Sequence, residues 1–403
     1  TEAETLANAD WMQAHLHPFG WDTIVVDFRW YDPQPTGNDF LLNSTRTGAA
    51  LAADSSGRLV PAPNRFPSSA GGLGFKPLAD RLHDSGLRFG IHVMRGIPRE
   101  DVLANATIAD GKFLAADAAA TNDRCIWCPD MFGVRTNAAG QAWYDSCAKL
   151  WASWGVDYIK VDDLSVPYHA GEIAMIRRAL NQAGRAIVFS TSPGPTALSH
   201  AADIASNANL WRISGDFWDQ WPKLDHQFDL LAHWEGIGGP GHWPDADMIP
   251  IGQLAIRSKI DGDPHWTHFT REEQLTLISM WALAPSPLML GMNLPDNDDW
   301  TTALLTNPEI LAVNQDSLGR PAQRVLRGDP GAEVWVRELS GGAQVVGLFN
   351  RTGQTITAEY DWQKLGIATH RHVRDLWLRK NLPAEKTLAS EIPPHGSCLF
   401  LVN

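Results

Sequence analysis

Six aspartates occupy places where a chain could do acid–base or covalent chemistry: Asp27, Asp162, Asp163, Asp216, Asp245 and Asp247. They lie in TIVVDF, DYIKVDD, LWRISGD and HWPDADM, at or just beyond short β-branched runs. One aspartate in such a place is most simply a helix cap. Several at the carboxyl ends of parallel strands would instead gather carboxylates at one rim. Side chains alternate along a strand, so Lys160 and Asp162 are expected on one side; the same rule pairs Arg212 with Asp216 and Asp245 with Asp247. An ammonium beside Asp162 would keep that carboxylate charged, as a nucleophile requires, while Asp163 faces away or caps the next helix. The array suits glycoside hydrolysis, and its alternative is a set of buried ion pairs bracing the rim.

Other chemistries lack their residues. A metal-dependent hydrolase wants His-x-His at a strand end, and the nearest approach is the single His92 of GIHVM. The glycine-rich Gly236–Gly241 is followed by acids that would repel a phosphate. No GxSxG elbow is present. Cys125 and Cys128 form a CxxC without a second pair, so buried thiols or a local bridge are expected ahead of zinc.

The elements that must position these residues alternate strand with helix, the pattern of a parallel α/β sheet. Expected strands are Thr23–Phe28, Arg88–Met94, Asp157–Asp163, Ala186–Ser192 and Leu210–Asp216, with weaker signals at Ile237–Met248 and Pro287–Gly291. Trp143, Cys147, Leu150, Trp151 and Trp154 mark one helix face ended by Gly155; Ile173, Ile176 and Leu180 mark another before Gly184. About seven strand–helix units, one short of an eight-stranded barrel, follow an opening helix at Thr5–Leu16, so the first strand is expected upstream of residue 1. After residue 318 the texture changes to Glu333–Leu339, Gln344–Asn350, Thr355–Tyr360, His372–Trp377 and Ser397–Val402, a small antiparallel sandwich. The expected architecture is therefore a (β/α)8 TIM barrel over 1–318 and a β-sandwich over 319–403.

Composition narrows the partners. The 403 residues carry 33 Lys plus Arg against 46 Asp plus Glu, a formal charge of −13, which opposes binding to a phosphate backbone. No apolar run is long enough to span a membrane. Eighteen Trp against five Tyr supply platforms for a ring-shaped ligand, although core packing accounts for most of them.

YIKVDD, Arg212-x-x-x-Asp216, HWPDADMIPIG (His242–Gly252), WALAPSPLMLG (Trp281–Gly291) and VNQDSLG (Val313–Gly319) resemble, in order and spacing, the motifs of glycoside hydrolase family 27. NRFPS, GFKPL, GIHVMRGIPR and STSPGPT resemble a bacterial branch of it. The resemblance covers nearly the whole chain. It implies a retaining double displacement with Asp162 as nucleophile and Asp216 as general acid/base, their carboxyl groups ~5–5.5 Å apart. It implies sugar binding by Asp27, Trp30, His92, Lys160, Ser192, Arg212 and Asp247, and no metal or organic cofactor. One departure concerns the sugar. Family galactosidases end a strand Asp-Asp-x-Trp and grip the far hydroxyls with both acids, whereas here the stretch is Asp27-Phe28-Arg29-Trp30. Ser192 is small where galactosidases are bulky or acidic, leaving room for an acetamido group. The expected activity is an exo-acting α-galactosidase-like glycosidase on an oligosaccharide, polysaccharide or glycoconjugate. Alternatives are an α-N-acetylgalactosaminidase, an isomaltodextranase or β-L-arabinopyranosidase, and a silent carbohydrate-binding protein. Such chemistry, and a chain starting at Thr1 rather than Met, favour an expected location in the periplasm or outside the cell.

Overall fold

Five of the β-branched runs form one parallel sheet in sequential order: Thr23–Val26, Arg88–Met94, Tyr158–Asp162, Val188–Thr191 and Leu210–Arg212. These coordinates are a computed structural model describing residues 1–35, 51–109, 111–257, 264–328, 331–367, 372–383 and 385–403. The described chain forms two compact units, Thr1–Arg212 with Ala255–Pro264, and Ile213–Leu254 with His265–Asn403. These five strands lie in the first. They read as continuous apolar runs because both faces are covered, and Phe89, Ile91, Ile159, Val161 and Phe189 are buried.

The intervening helices follow their periodicity. Ala138–Ser153 starts at Asn137, whose side chain accepts the Gly140 N–H at 2.8 Å, and stops before Gly155 at φ +82°. It buries Trp143, Cys147 and Trp151. Ala170–Gln182 buries Ile173, Ile176 and Leu180. The opening helix spans Glu2–His15 with a capping box between Thr1 and Glu4. All four cysteines are unpaired, and Cys125 and Cys128 pack with Met94 and Met131.

In the second unit, six antiparallel strands run in the order Gln323–Leu326, Glu333–Glu338, Gln344–Phe349, Ser397–Val402, Val373–Asp375 and Lys380–Leu382. A second sheet pairs Ile356–Asp361 with Thr387–Ile392. Val334, Val336, Val346, Leu348, Phe400 and Val402 join Ala358, Leu388 and Ile392 in one core cluster. The alternate residues Trp335, Val345, Phe349 and Leu399 are buried too, which explains why these strands do not alternate in polarity. Two helices, Trp221–His233 and Arg271–Leu283, bond to the sandwich and pack against it. Phe228 meets Phe349 edge-on at 5.1 Å, and a Cβ on Gly347 would lie 2.5 Å from Leu283. Thr276 donates to the His395 carbonyl at 2.7 Å, Trp377 to the Ser279 hydroxyl at 2.8 Å, and Arg351 to Asp225 at 2.6 Å.

The compact units therefore do not coincide with the sequence texture change at residue 318: Ile213–Leu254 and the helix Arg271–Leu283 group with the sandwich, whose apolar residues these helices share. Two weaker strand expectations also change. Ile237–Met248 contains only Trp243–Asp245, and Pro287–Gly291 contributes one parallel bridge, Ile249 to Leu290, because Pro287 supplies no N–H to a ladder.

Candidate active site

In the first unit the register sets His92 beside Lys160 and Met94 beside Asp162. The His92 ring is fully buried and its Nε2 lies 3.0 Å from Asp162 Oδ2. The other carboxylate oxygen accepts the Asp163 N–H at 3.1 Å, and the Arg95 N–H donates to the Asp162 carbonyl at 3.0 Å. Burial opposes ionisation of Asp162, yet the His92 hydrogen bond and attraction, then the Lys160 charge, hold its carboxyl below the ordinary carboxylate range. Lys160 itself lies 3.1 Å from Asp27 Oδ2. At Asp27 the same contest is decided by Lys160, His92 and the Phe28 N–H, which outweigh desolvation and pull the carboxyl well down. The cation adjacent in register therefore ion-pairs with Asp27, and the group directly on Asp162 is His92. The expected influence of Lys160 on Asp162 thus acts through charge, with His92 as the hydrogen-bonded partner, and the buried His92 ring positions that carboxylate rather than offering a surface to sugar.

Asp163 does face away. It stands at φ +66° and meets Arg95, whose Nη2 is 2.8 Å from its carboxylate and whose Nε is 2.9 Å from its carbonyl. The same guanidinium binds Asp123 at 2.9 Å and Glu172 at 2.6 Å, and the Tyr144 hydroxyl donates to Glu172. Arg95 is almost wholly buried among three carboxylates, fastened to both residues at the end of the strand. This network was not read from the sequence, although Arg95 stood in GIHVMRGIPR.

Phe28 sits edge-on to His92, ring centroids 5.3 Å apart, and 5.8 Å from Trp127. Trp30 is not a sugar platform: it is fully buried, its indole N–H donates to the His92 carbonyl at 2.6 Å, and Phe75 and Trp154 pack edge-on around it. Trp127, partly exposed in the CIWC segment, is the indole that packs against Phe28, and its motif reads in sequence only as a cysteine pair. Ser192 and Arg212 are buried, with Arg212 Nη1 3.4 Å from the Ser192 hydroxyl.

In the second unit Asp216 is exposed and lies beyond any strand, since the Leu210–Arg212 strand stops at Arg212. Alternation therefore does not govern Arg212 and Asp216. The backbone around Asp216 is held instead. Phe217 donates its N–H to Asp247 Oδ2 at 2.8 Å, and Lys223 Nζ donates to the Asp216 carbonyl at 3.1 Å. Asp247 stands at φ +79° with its N–H on Asp245 Oδ1 at 2.8 Å, so this pair is joined through backbone, not by strand alternation. WALAPSPLMLG braces the turn: Trp281 donates to the Asp247 carbonyl at 3.1 Å, and the Ala246 N–H to the Ser286 hydroxyl at 3.0 Å.

Comparison with known proteins agrees with this layout. Residues 131–316 match the family model described as alpha galactosidase A, and residues 329–402 that of the alpha galactosidase C-terminal beta sandwich domain. Alpha-galactosidase 2 of Arabidopsis thaliana is 30% identical over 361 residues, 87% of this chain and 76% of that one. The alpha-galactosidase of Oryza sativa subsp. japonica is 29% identical over 361 residues, 88% of this chain and 73% of the relative. A crystal structure of a family 27 β-L-arabinopyranosidase from Geobacillus stearothermophilus superposes with a TM-score of 0.95 at 43% identity, covering 100% of this chain and 92% of that one.

Proposed function

The chain belongs to glycoside hydrolase family 27, a retaining, α-galactosidase-like glycosidase built as a TIM barrel with a C-terminal β-sandwich, and we propose that its preferred sugar is a β-linked L-arabinopyranoside. Asp162 supplies the nucleophile and forms the glycosyl ester; Asp216 donates its proton to the departing oxygen and then takes one from the incoming water. A retaining pair of this kind needs its carboxyl groups ~5–5.5 Å apart at the moment of attack. The low proton affinity of Asp162 suits its role, since only the charged carboxylate attacks.

The observation that carries the sugar assignment is Phe28. A β-L-arabinopyranoside has the ring configuration of an α-D-galactoside without the exocyclic hydroxymethyl group. Where family galactosidases carry a second acid, Phe28 presents an apolar ring packed on His92, which accepts no hydrogen bond from a hydroxyl. A substrate with that hydroxymethyl group would leave its hydroxyl unpaired, at a cost of ~1–3 kcal/mol. The 43% identical arabinopyranosidase points the same way.

The test is a panel of p-nitrophenyl β-L-arabinopyranoside, α-D-galactoside, α-N-acetylgalactosaminide and α-D-glucoside, with dextran. The arabinopyranoside should lead the galactoside in kcat/KM by about tenfold or more, the rate equivalent of ~1.4 kcal/mol, and Phe28→Asp should narrow that gap. A leading galactoside would overturn the sugar but not the mechanism. Asp162→Ala should abolish turnover of every substrate, and unchanged rates would remove the nucleophile. Asp216→Ala should damage poor leaving groups more than activated aryl ones. No turnover of any glycoside would leave a carbohydrate-binding protein.

A further inference from the structure

We propose that Asp219, His265 and His268 form a binding site for a divalent transition-metal ion of the zinc type. None of the three serves the hydrolysis described above, and the inference stands independently of the sugar assignment. The Asp219 side chain is 4% exposed, and two imidazoles converge on a single one of its oxygens. Nε2 of His265 lies 3.1 Å from Oδ2 and Nδ1 of His268 2.9 Å from it, while the His268 backbone N–H reaches the same atom at 2.6 Å. The rings stack with centroids 4.3 Å apart.

Two imidazole nitrogens and a carboxylate oxygen are the donor set that borderline cations take. A neutral imidazole offers a lone pair at whichever ring nitrogen carries no proton, so either ring can serve as a ligand in the matching tautomer. The three ligand atoms lie within 4.8 Å of one another. A tetrahedral zinc with ~2.1 Å bonds has ligand–ligand edges of about 3.4 Å, so the nitrogen–oxygen separations need open by only a few tenths of an ångström. His268 is 66% exposed, which leaves an approach from solvent and room for a water as fourth ligand.

A second cluster shows what the proposal requires. Asp123, His169 and Glu172 also bring ligand atoms within 4.8 Å. There the Arg95 guanidinium already binds both carboxylates, at 2.9 Å and 2.6 Å, and a second cation would meet its charge at close range. No such cation is bonded to the carboxylate of Asp219 among the described contacts.

The experiment uses the full chain, stripped with a chelator and titrated with Zn²⁺ by calorimetry. One equivalent should bind per chain, and the melting temperature should climb with Zn²⁺ concentration, as for any ligand of the native state. His268→Ala should weaken binding by about tenfold or more, in keeping with loss of one of three ligands, while His169→Ala leaves it unchanged. His268→Gln serves if the alanine variant is poorly folded by circular dichroism. Co²⁺ as a second probe should give visible absorption that His268→Ala loses. The proposal is overturned if the stripped chain takes up no Zn²⁺, if the His268 variants bind it as the wild type does, or if His169→Ala abolishes binding.

Discussion

With Asp162 proposed as nucleophile, Arg95 is the residue whose removal separates holding that carboxylate from being it. Its five donors span Asp163, Asp123 and Glu172, and its backbone N–H holds the Asp162 carbonyl. Lysine keeps the charge but loses the planar fork, so Arg95→Lys should let the strand end shift while leaving the sugar contacts in place. We expect kcat to fall by about 10–100-fold with KM little changed. An equal loss of kcat and folded protein would make Arg95 a stability residue only. Asp101 makes a second prediction at this scale. Burial, with repulsion from Glu100 and Asp54, pushes its carboxyl up to about 6, and its buried Oδ2 has no partner among the described residues. A folded-state value above the unfolded one means that the native state holds this proton more tightly. Its stabilising effect is present below the unfolded value of ~3.9 and is lost as pH rises through about 6. Asp101→Asn should therefore raise the melting temperature at about pH 8 and change it little at about pH 4. A variant equally destabilised at both would show that the charged carboxylate is partnered.

The elements deliver these residues by stopping early. Thr23–Val26 and Leu210–Arg212 end before Asp27 and Asp216, and Arg29, Asp163 and Asp247 take left-handed φ of +62°, +66° and +79°. Non-glycine residues in that region cost ~1–3 kcal/mol each and persist only where their surroundings determine them, here through Arg95 for Asp163 and through the Asp245 and Trp281 bonds for Asp247. The Ala138–Ser153 helix supports the Arg95 turn: Trp143 donates to the Gly96 carbonyl at 3.0 Å, and the Gly96 N–H reaches the Tyr144 hydroxyl at 3.3 Å. The start of that helix depends on Gly140, where a Cβ would lie 2.0 Å from the Arg135 carbonyl oxygen and 2.8 Å from Val134. Gly140→Ala, normally helix-stabilising, should here cost ~1–3 kcal/mol in chemical denaturation. A neutral result would mean that the turn before the helix yields.

At the scale of the molecule, the sandwich is part of the second unit's core. Its main sheet is covered on one face by the short sheet and on the other by helices that follow Asp216 and Asp247 in the chain. A chain ending at Leu318 would expose Phe228 and Leu283, both buried, and strip the partners of Thr276 and Ser279. We expect that truncation to lose cooperative melting and to aggregate. A soluble 1–318 fragment with a sharp transition would show that the barrel closes its own core.

The strands of the parallel sheet and the helix faces were legible from the chain alone, as were the motifs from which Asp162 and Asp216 are proposed as the catalytic pair. β-branched runs, 3.6-residue periodicity and motif spacing are local, and Arg88–Met94 and Ser397–Val402 form strands at the very residues expected. Tertiary structure decided which charge meets which. Lys160 goes to Asp27 and His92 to Asp162 because residues brought in from neighbouring strands, not spacing along one strand, supply the partners. It also decided that Trp30 is core, that Arg95 braces the end of the Asp162 strand and that His265 and His268 meet Asp219 some fifty positions away. Pairings of that kind depend on how elements pack in space, which no spacing within a single element can encode.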